Sequence, residues 1–110
     1  MIEASFVKSS GRFTGFTVTG HAGYADSGSD IVCAGVSSAV QLTANAITES
    51  FGVPAKVRVM ENRISLKLPR DCDSAPAQQL IEALYEHISL IAHDHQGTIS
   101  THISFGGVRK

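Results

Sequence analysis

A long apolar stripe of helical period dominates the first half of the chain. Its members recur at steps of three and four residues: Cys33, Val36, Val40, Ala44, Ile47 and Phe51. That spacing places them on one face of an α-helix. We expect this helix to begin after an N-cap at Asp30 and to end at Gly52 and Pro54. Because 110 residues suffice for one small domain, we expect a single domain over residues 1–110.

The segments around this helix alternate between apolar and polar residues, as strands do. Five strands are expected, at residues 2–8, 12–19, 55–60, 63–68 and 98–105. A second helix should follow a cap at Asp73 or Ser74, with the apolar stripe Leu80, Leu84, Ile88 and Ile91. The order ββαββαβ predicts an α+β fold: a two-layer or three-layer sandwich with a mostly antiparallel sheet and two long helices.

Composition argues against several classes of protein. The net charge is −1, whereas general nucleic-acid binders are usually basic, so we expect no direct contact with nucleic acid. No apolar run approaches the roughly 18 residues of a membrane span, and the first residues do not resemble a signal peptide. Because the chain has only two cysteines and no predicted signal peptide, we expect it in the reducing cytoplasm. Because no apolar run is long enough, we expect no membrane partner. The histidines at positions 93 and 95 suit a helix end better than a metal site. We therefore expect neither a metal nor a cofactor.

Residues 20–29 are predicted to form a loop, since they hold few apolar side chains and several glycines. His21 stands at the start of this loop, directly after the second strand. Cys33 falls in the predicted first turn of the helix, where unpaired N–H groups and the helix dipole favour an anion. A thiolate is a nucleophile, a nearby imidazole can accept the thiol proton, and the N–H groups of the helix start can stabilise an oxyanion.

Each of these residues also has an explanation that involves no catalysis. Cys33 lies on the apolar stripe and could be a small core residue, and His21 could be a half-exposed loop histidine. Asp30 could cap the helix, orient His21, or do both. Ser37, one helical turn after Cys33, could line a groove, donate to an oxyanion, or bond back to a helix carbonyl. Cys72 has no histidine close to it in the sequence and is interpreted as a bystander.

The segment from Gly20 to Ser37 resembles the ribosomal-processing cysteine protease family, Prp. The matching residues are Gly20, His21, Ala22, Gly28, the run DIVCAG at residues 30–35, and Ser37. The resemblance implies that the chain removes the N-terminal extension of large-subunit ribosomal protein number twenty-seven. It also implies that the peptide substrate is a partner and that the protein is a homodimer.

The resemblance assigns roles residue by residue. Cys33 matches the family nucleophile and His21 the general acid/base, while Asp30 and Ser37 match positions regarded as part of the site. The loop glycines Gly20 and Gly28, with Ala22, are expected to contact the substrate.

Two other functions remain open on the sequence alone. One is a non-catalytic ribosome-assembly or peptide-binding module that uses the same loop. The other is a redox-sensing thiol domain in which Cys33 and Cys72 pair.

Overall fold

The structure is a computed structural model that describes residues 1–20 and 27–106. The strands are β1 (Ile2–Ser9), β2 (Arg12–Thr19), β3 (Lys56–Met60), β4 (Arg63–Lys67) and β5 (Ile99–Phe105). Helix α1 (Ser27–Asn45), extended by a π-helical turn (Ala46–Ser50), separates the two hairpins, and α2 (Ala75–Asp94) precedes β5. The predicted order ββαββαβ is confirmed.

The five strands form one mixed sheet in the order β3-β4-β2-β1-β5. Both hairpins and the β2–β4 pair are antiparallel, whereas β1 and β5 run parallel. The parallel pair follows from the connection through α2, because a helical crossover can leave β5 parallel to β4. Strand β4 runs in the same direction as β1, since both are antiparallel to β2.

Both helices pack on the same face of the sheet. Ile2, Ala4 and Phe6 of β1 lie on this face, and they form one buried cluster with residues of both helices. Phe6 is central, with ring contacts to Phe16 and Tyr85. The opposite face carries polar side chains, such as Ser5, whose Oγ lies 2.7 Å from Nε2 of His102. Of the two predicted alternatives, the structure is therefore the two-layer sandwich.

Helix α1 begins four residues earlier than predicted, at Ser27 instead of at Ile31, the residue after Asp30. Asp30 is therefore in the first turn and not at the N-cap, and the predicted loop over residues 20–29 loses its last three residues to the helix. The physical reason is that a carboxylate is favourable anywhere in the first helical turn, so an aspartate alone does not mark the cap. Counted from Ser27, Cys33 is the seventh residue of α1 and lies in its second turn.

The C-terminal end of the first helical segment is where the sequence predicts it. Gly52 adopts a φ of +65°, and the Val53 N–H donates to the Ile47 carbonyl at 2.9 Å. Along the helix, Val32 is buried and Cys33 is only half-buried. Phe51, predicted to belong to the stripe, is 53% exposed because it lies beyond the π-helical turn.

In α2, Ser74 is the N-cap, and its side chain accepts a hydrogen bond from the Ala77 N–H at 3.2 Å. This decides between the two predicted caps. The fully buried face of α2 consists of Ala77, Ile81, Leu84 and Ile88, while Leu80 and Ile91 of the predicted stripe are partly buried at its margin.

The segment Ile31–Ser50 is long and apolar enough to cross a membrane by length and composition, with a mean hydropathy of 1.4. This finding differs from the expectation that no apolar run approaches the length of a membrane span. The core helix of a soluble protein passes the same test. In this segment Val32, Val36, Val40 and Ile47 are buried in the core beneath the sheet.

Candidate active site

A cleft of about 450 Å³ lies between α1 and the β3–β4 hairpin. One wall is a stripe of α1 in which Cys33, Ser37 and Gln41 follow one another at four-residue steps. The other wall is the segment 60–63, which contains the turn between β3 and β4. The residues at the bottom are apolar: Ile2, Val18, Val36, Val40 and Ile64. The cleft thus combines an apolar floor with polar rims, and it contains the candidate nucleophile.

Cys33 packs against the edge of the core and also lines this cleft. Its partial burial fits neither a fully buried core residue nor a solvated surface residue. A thiol in this position can be reached by a molecule that occupies the cleft.

The position of Cys33 in the second turn changes the expected electrostatics. The effect of the helix dipole falls off within the first turn. The unpaired amides of a helix that begins at Ser27 all precede Ile31, and the amides from residue 31 onward bond within the helix. The amide of Cys33 itself therefore bonds within the helix, and stabilisation of an oxyanion by N–H groups of the helix start remains a prediction. Ser37 is exposed in the same cleft, one turn further on, and carries a hydroxyl donor.

Gly20 lines the cleft at the end of β2. Its N–H donates to the carbonyl of Asn62 at 3.0 Å, which ties the end of β2 to the β3–β4 turn. Its φ is +90°, and a Cβ at this position would lie 2.5 Å from the Met1 carbonyl oxygen. Only glycine fits such a position. Gly20 therefore contributes a fixed backbone to the cleft wall.

The remaining predicted site residues divide into two groups. Gly28 and Asp30 lie in the first turn of α1, so Gly28 is not a loop glycine and Asp30 is not a helix cap. His21 and Ala22 lie outside the described residues, and so does the side chain of Asp30.

Cys72 lies in a different part of the molecule. It lines a second cleft, of about 760 Å³, together with Val7 and Arg12. The Arg12 guanidinium donates to the Cys72 carbonyl at 3.2 Å. Ile2 borders the first cleft and Val7 the second, so a length of β1 of roughly 16 Å separates them. Both cysteines are described, and no disulfide joins them. Among the described side chains, no three His, Cys, Asp or Glu residues come together as a metal site.

Sequence analysis missed Gln41 and the β3–β4 turn. Gln41 could have been found, since it continues the four-residue steps from Cys33 and Ser37 along α1. The turn could not, because its place beside α1 depends on the pairing of β4 with β2, and local patterns do not determine that pairing.

A half-buried cysteine in a peptide-sized cleft, on a small two-layer α+β domain, is an arrangement suited to a thiol hydrolase. Comparison with known proteins makes the class specific. The family model described as cysteine protease Prp matches residues 1–100, and the chain belongs to this family. The predicted family and the predicted activity, that of a cysteine protease, are confirmed.

Individual relatives agree with this assignment. The ribosomal processing cysteine protease Prp of Bacillus subtilis is 30% identical over 105 residues, covering 90% of this chain and 94% of that protein. The crystal structure of a Streptococcus mutans protein matches with a TM-score of 0.87 at 26% identity, covering 96% of each chain. The S. aureus ribosomal processing protease Prp, solved with a covalently linked product peptide, matches with a TM-score of 0.85 at 21% identity. It covers 94% of this chain and 100% of that one, and at this identity the likeness concerns the fold alone.

Proposed function

We propose that this protein is an endopeptidase that removes the N-terminal extension of large-subunit ribosomal protein number twenty-seven. The observation that carries the proposal is the half-buried Cys33 thiol in the wall of the 450 Å³ cleft. The name of the B. subtilis relative, a ribosomal processing protease, supports the substrate class. The S. aureus relative was solved with peptides, and its fold is the one described above.

The proposed reaction uses Cys33 as nucleophile and His21 as general acid/base. His21 accepts the thiol proton, and the Cys33 sulfur attacks the carbonyl carbon of the scissile peptide bond to form a tetrahedral oxyanion. As this collapses, the C–N bond breaks and His21 returns the proton to the leaving amine. Water then attacks the thioester while His21 takes one of its protons. The C–S bond then breaks, the carboxylic acid product leaves, and His21 returns the proton to the Cys33 sulfur.

The geometry of Gly20 supports the role of His21. Gly20 lines the cleft that contains Cys33, and His21 is the next residue in the sequence. For the oxyanion, Ser37 Oγ is the proposed donor from α1, because Ser37 lines the same cleft and the amide of Cys33 is engaged in the helix. Asp30, in the first turn of α1, is proposed to orient His21.

Alanine and serine substitutions of Cys33 test the assignment directly. We expect Cys33→Ala to abolish cleavage of the extended ribosomal protein and Cys33→Ser to reduce it by several orders of magnitude, because a hydroxyl is a much weaker nucleophile than a thiolate. The measurement is the appearance of the shortened protein by mass spectrometry over time. Cys72→Ala is the matched control and should cleave at the rate of the unmodified protein. If Cys33→Ala cleaves at the normal rate, Cys33 is not the nucleophile, and a peptide-binding module becomes the better explanation for the cleft.

The homodimer and the cytoplasmic location remain predictions that rest on the family resemblance and on the cysteine content. The absence of direct contact with nucleic acid likewise remains a prediction from the net charge.

A further inference from the structure

The cleft extends well beyond Cys33, and its far end carries a polar side chain with no role in the proposed chemistry. Gln41 is exposed, lines the cleft, and lies two four-residue steps after Cys33 on the same stripe of α1. At 1.5 Å of rise per residue, Gln41 lies about 12 Å from Cys33 along the helix axis. An extended peptide advances about 3.3 Å per residue, so Gln41 is level with a substrate residue three or four positions from the scissile bond.

The apolar floor makes a hydrogen-bonding side chain necessary at this distance. A peptide that enters the cleft brings one N–H and one C=O per residue, and leaving such groups buried without a partner is costly. The side chains of Val36, Val40 and Ile64 have no donor or acceptor for these peptide groups. The carboxamide of Gln41 both donates and accepts, which matches a peptide unit irrespective of the substrate's side chains.

The opposite wall supports the same conclusion. Asn62, in the β3–β4 turn, also lines the cleft, and its side chain is a second carboxamide. Its backbone carbonyl is already engaged by the N–H of Gly20, so the turn is held at a fixed place across from α1. An extended chain lying between the two walls would therefore meet a hydrogen-bonding amide on each side.

We infer that Gln41 is a substrate-binding residue that holds the peptide backbone three to four residues away from the scissile bond. This rests on the proposed function, since it takes the cleft to be the peptide groove. Gln41 then contributes binding that is equal in ground state and transition state. Its loss should raise KM and leave kcat unchanged.

The test is a steady-state comparison over peptides of different length. One substrate extends six residues on both sides of the scissile bond, and two others are shortened to two residues on one side or the other. We expect Gln41→Ala to raise KM for the long peptide by about two- to tenfold, the effect of one lost hydrogen bond. On the peptide that lacks the residue facing Gln41, the variant and the unmodified protein should have equal KM.

Gln79→Ala is the matched control, because Gln79 is an exposed glutamine on α2 that lines neither cleft. It should leave KM unchanged for every peptide. Equal KM for Gln41→Ala and the unmodified protein on the long peptide would overturn the inference. So would a loss of the same size on all three peptides, since that is the signature of a structural defect. Failure of the unmodified protein to cleave any of the peptides or the extended ribosomal protein would instead overturn the proposed function on which the inference rests.

Discussion

At Gly20 the backbone leaves no room for a side chain. A Cβ there would lie 2.5 Å from the Met1 carbonyl oxygen, and the φ of +90° is itself unfavourable for other residues. We expect Gly20→Ala to lower the free energy of unfolding by about 2–4 kcal/mol, from backbone strain and from the forced shift of Met1. Urea unfolding of the purified variant measures this.

Gly97→Ala separates the two contributions to the Gly20 effect. Gly97 has a similar φ of +86°, but nothing lies within 4 Å of the position a Cβ would take. Its substitution should therefore cost only the conformational strain, about 1 kcal/mol. Equal losses at the two glycines would show that the contact with Met1 is unimportant. Because Gly20 leads directly into His21, we expect Gly20→Ala, and not Gly97→Ala, to slow cleavage as well.

The candidate site shows what a sequence can reveal at the scale of single residues. The motif around Cys33 predicts the family, which the family model confirms. The position of Cys33 within the helix could not be predicted, because serine, glycine and aspartate before Ile31 suit either a loop or a first helical turn. That difference of four residues moves Cys33 out of the first helical turn, where the helix dipole acts.

Among the helices and strands, α2 is hydrogen-bonded to the sheet through the side chain of Gln78, in addition to its apolar packing. The Phe13 N–H donates to Gln78 Oε1 at 2.8 Å, and Gln78 Nε2 donates to the Phe13 carbonyl at 2.7 Å. The β2–β4 pairing begins only at Gly15, so β4 does not pair with the backbone of Phe13. Gln78 takes the place of the missing strand.

Loss of the two hydrogen bonds between Gln78 and Phe13 should destabilise the domain. We expect Gln78→Ala to lower the free energy of unfolding by about 1–3 kcal/mol, since it leaves a partly buried backbone donor and acceptor without partners. Gln79→Ala, one residue further on and exposed, should change it by less than about 0.5 kcal/mol. Denaturant unfolding of both variants measures the difference. If the two lose the same stability, the double hydrogen bond to Phe13 has no net value.

Local patterns predicted the elements better than their arrangement. The bounds of β2 agree with the structure, and each of the other strands is within a residue of its prediction at either end. The alternation of β4 does not say that it pairs with β2, nor does that of β5 say that it lies parallel to β1. In α2, apolar residues occupy positions on a broad arc. Whether Leu80 or Ile81 is fully buried depends on the sheet surface that the helix meets.

On the scale of the whole molecule, the β1–β2 hairpin separates two clefts with different contents. The cleft between α1 and the β3–β4 hairpin contains Cys33, and the cleft at the other end contains Cys72, with Arg12 and Lys67. The two thiols therefore have different neighbours, and the redox-sensing alternative would require them to meet.

The fold makes an intrachain disulfide between Cys33 and Cys72 incompatible with the native structure. Bonded cysteines have Cα atoms about 4.4–6.8 Å apart, and β1 alone separates the borders of the two clefts by roughly 16 Å. We expect dilute folded protein treated with mild oxidant to form no such disulfide, as measured by intact mass and by peptide mapping without reduction. The same oxidant applied to the urea-unfolded chain should join the two cysteines readily, because the unfolded chain brings them together by diffusion. An intrachain disulfide formed with native far-UV circular dichroism would contradict the separation of the two clefts and revive the redox function.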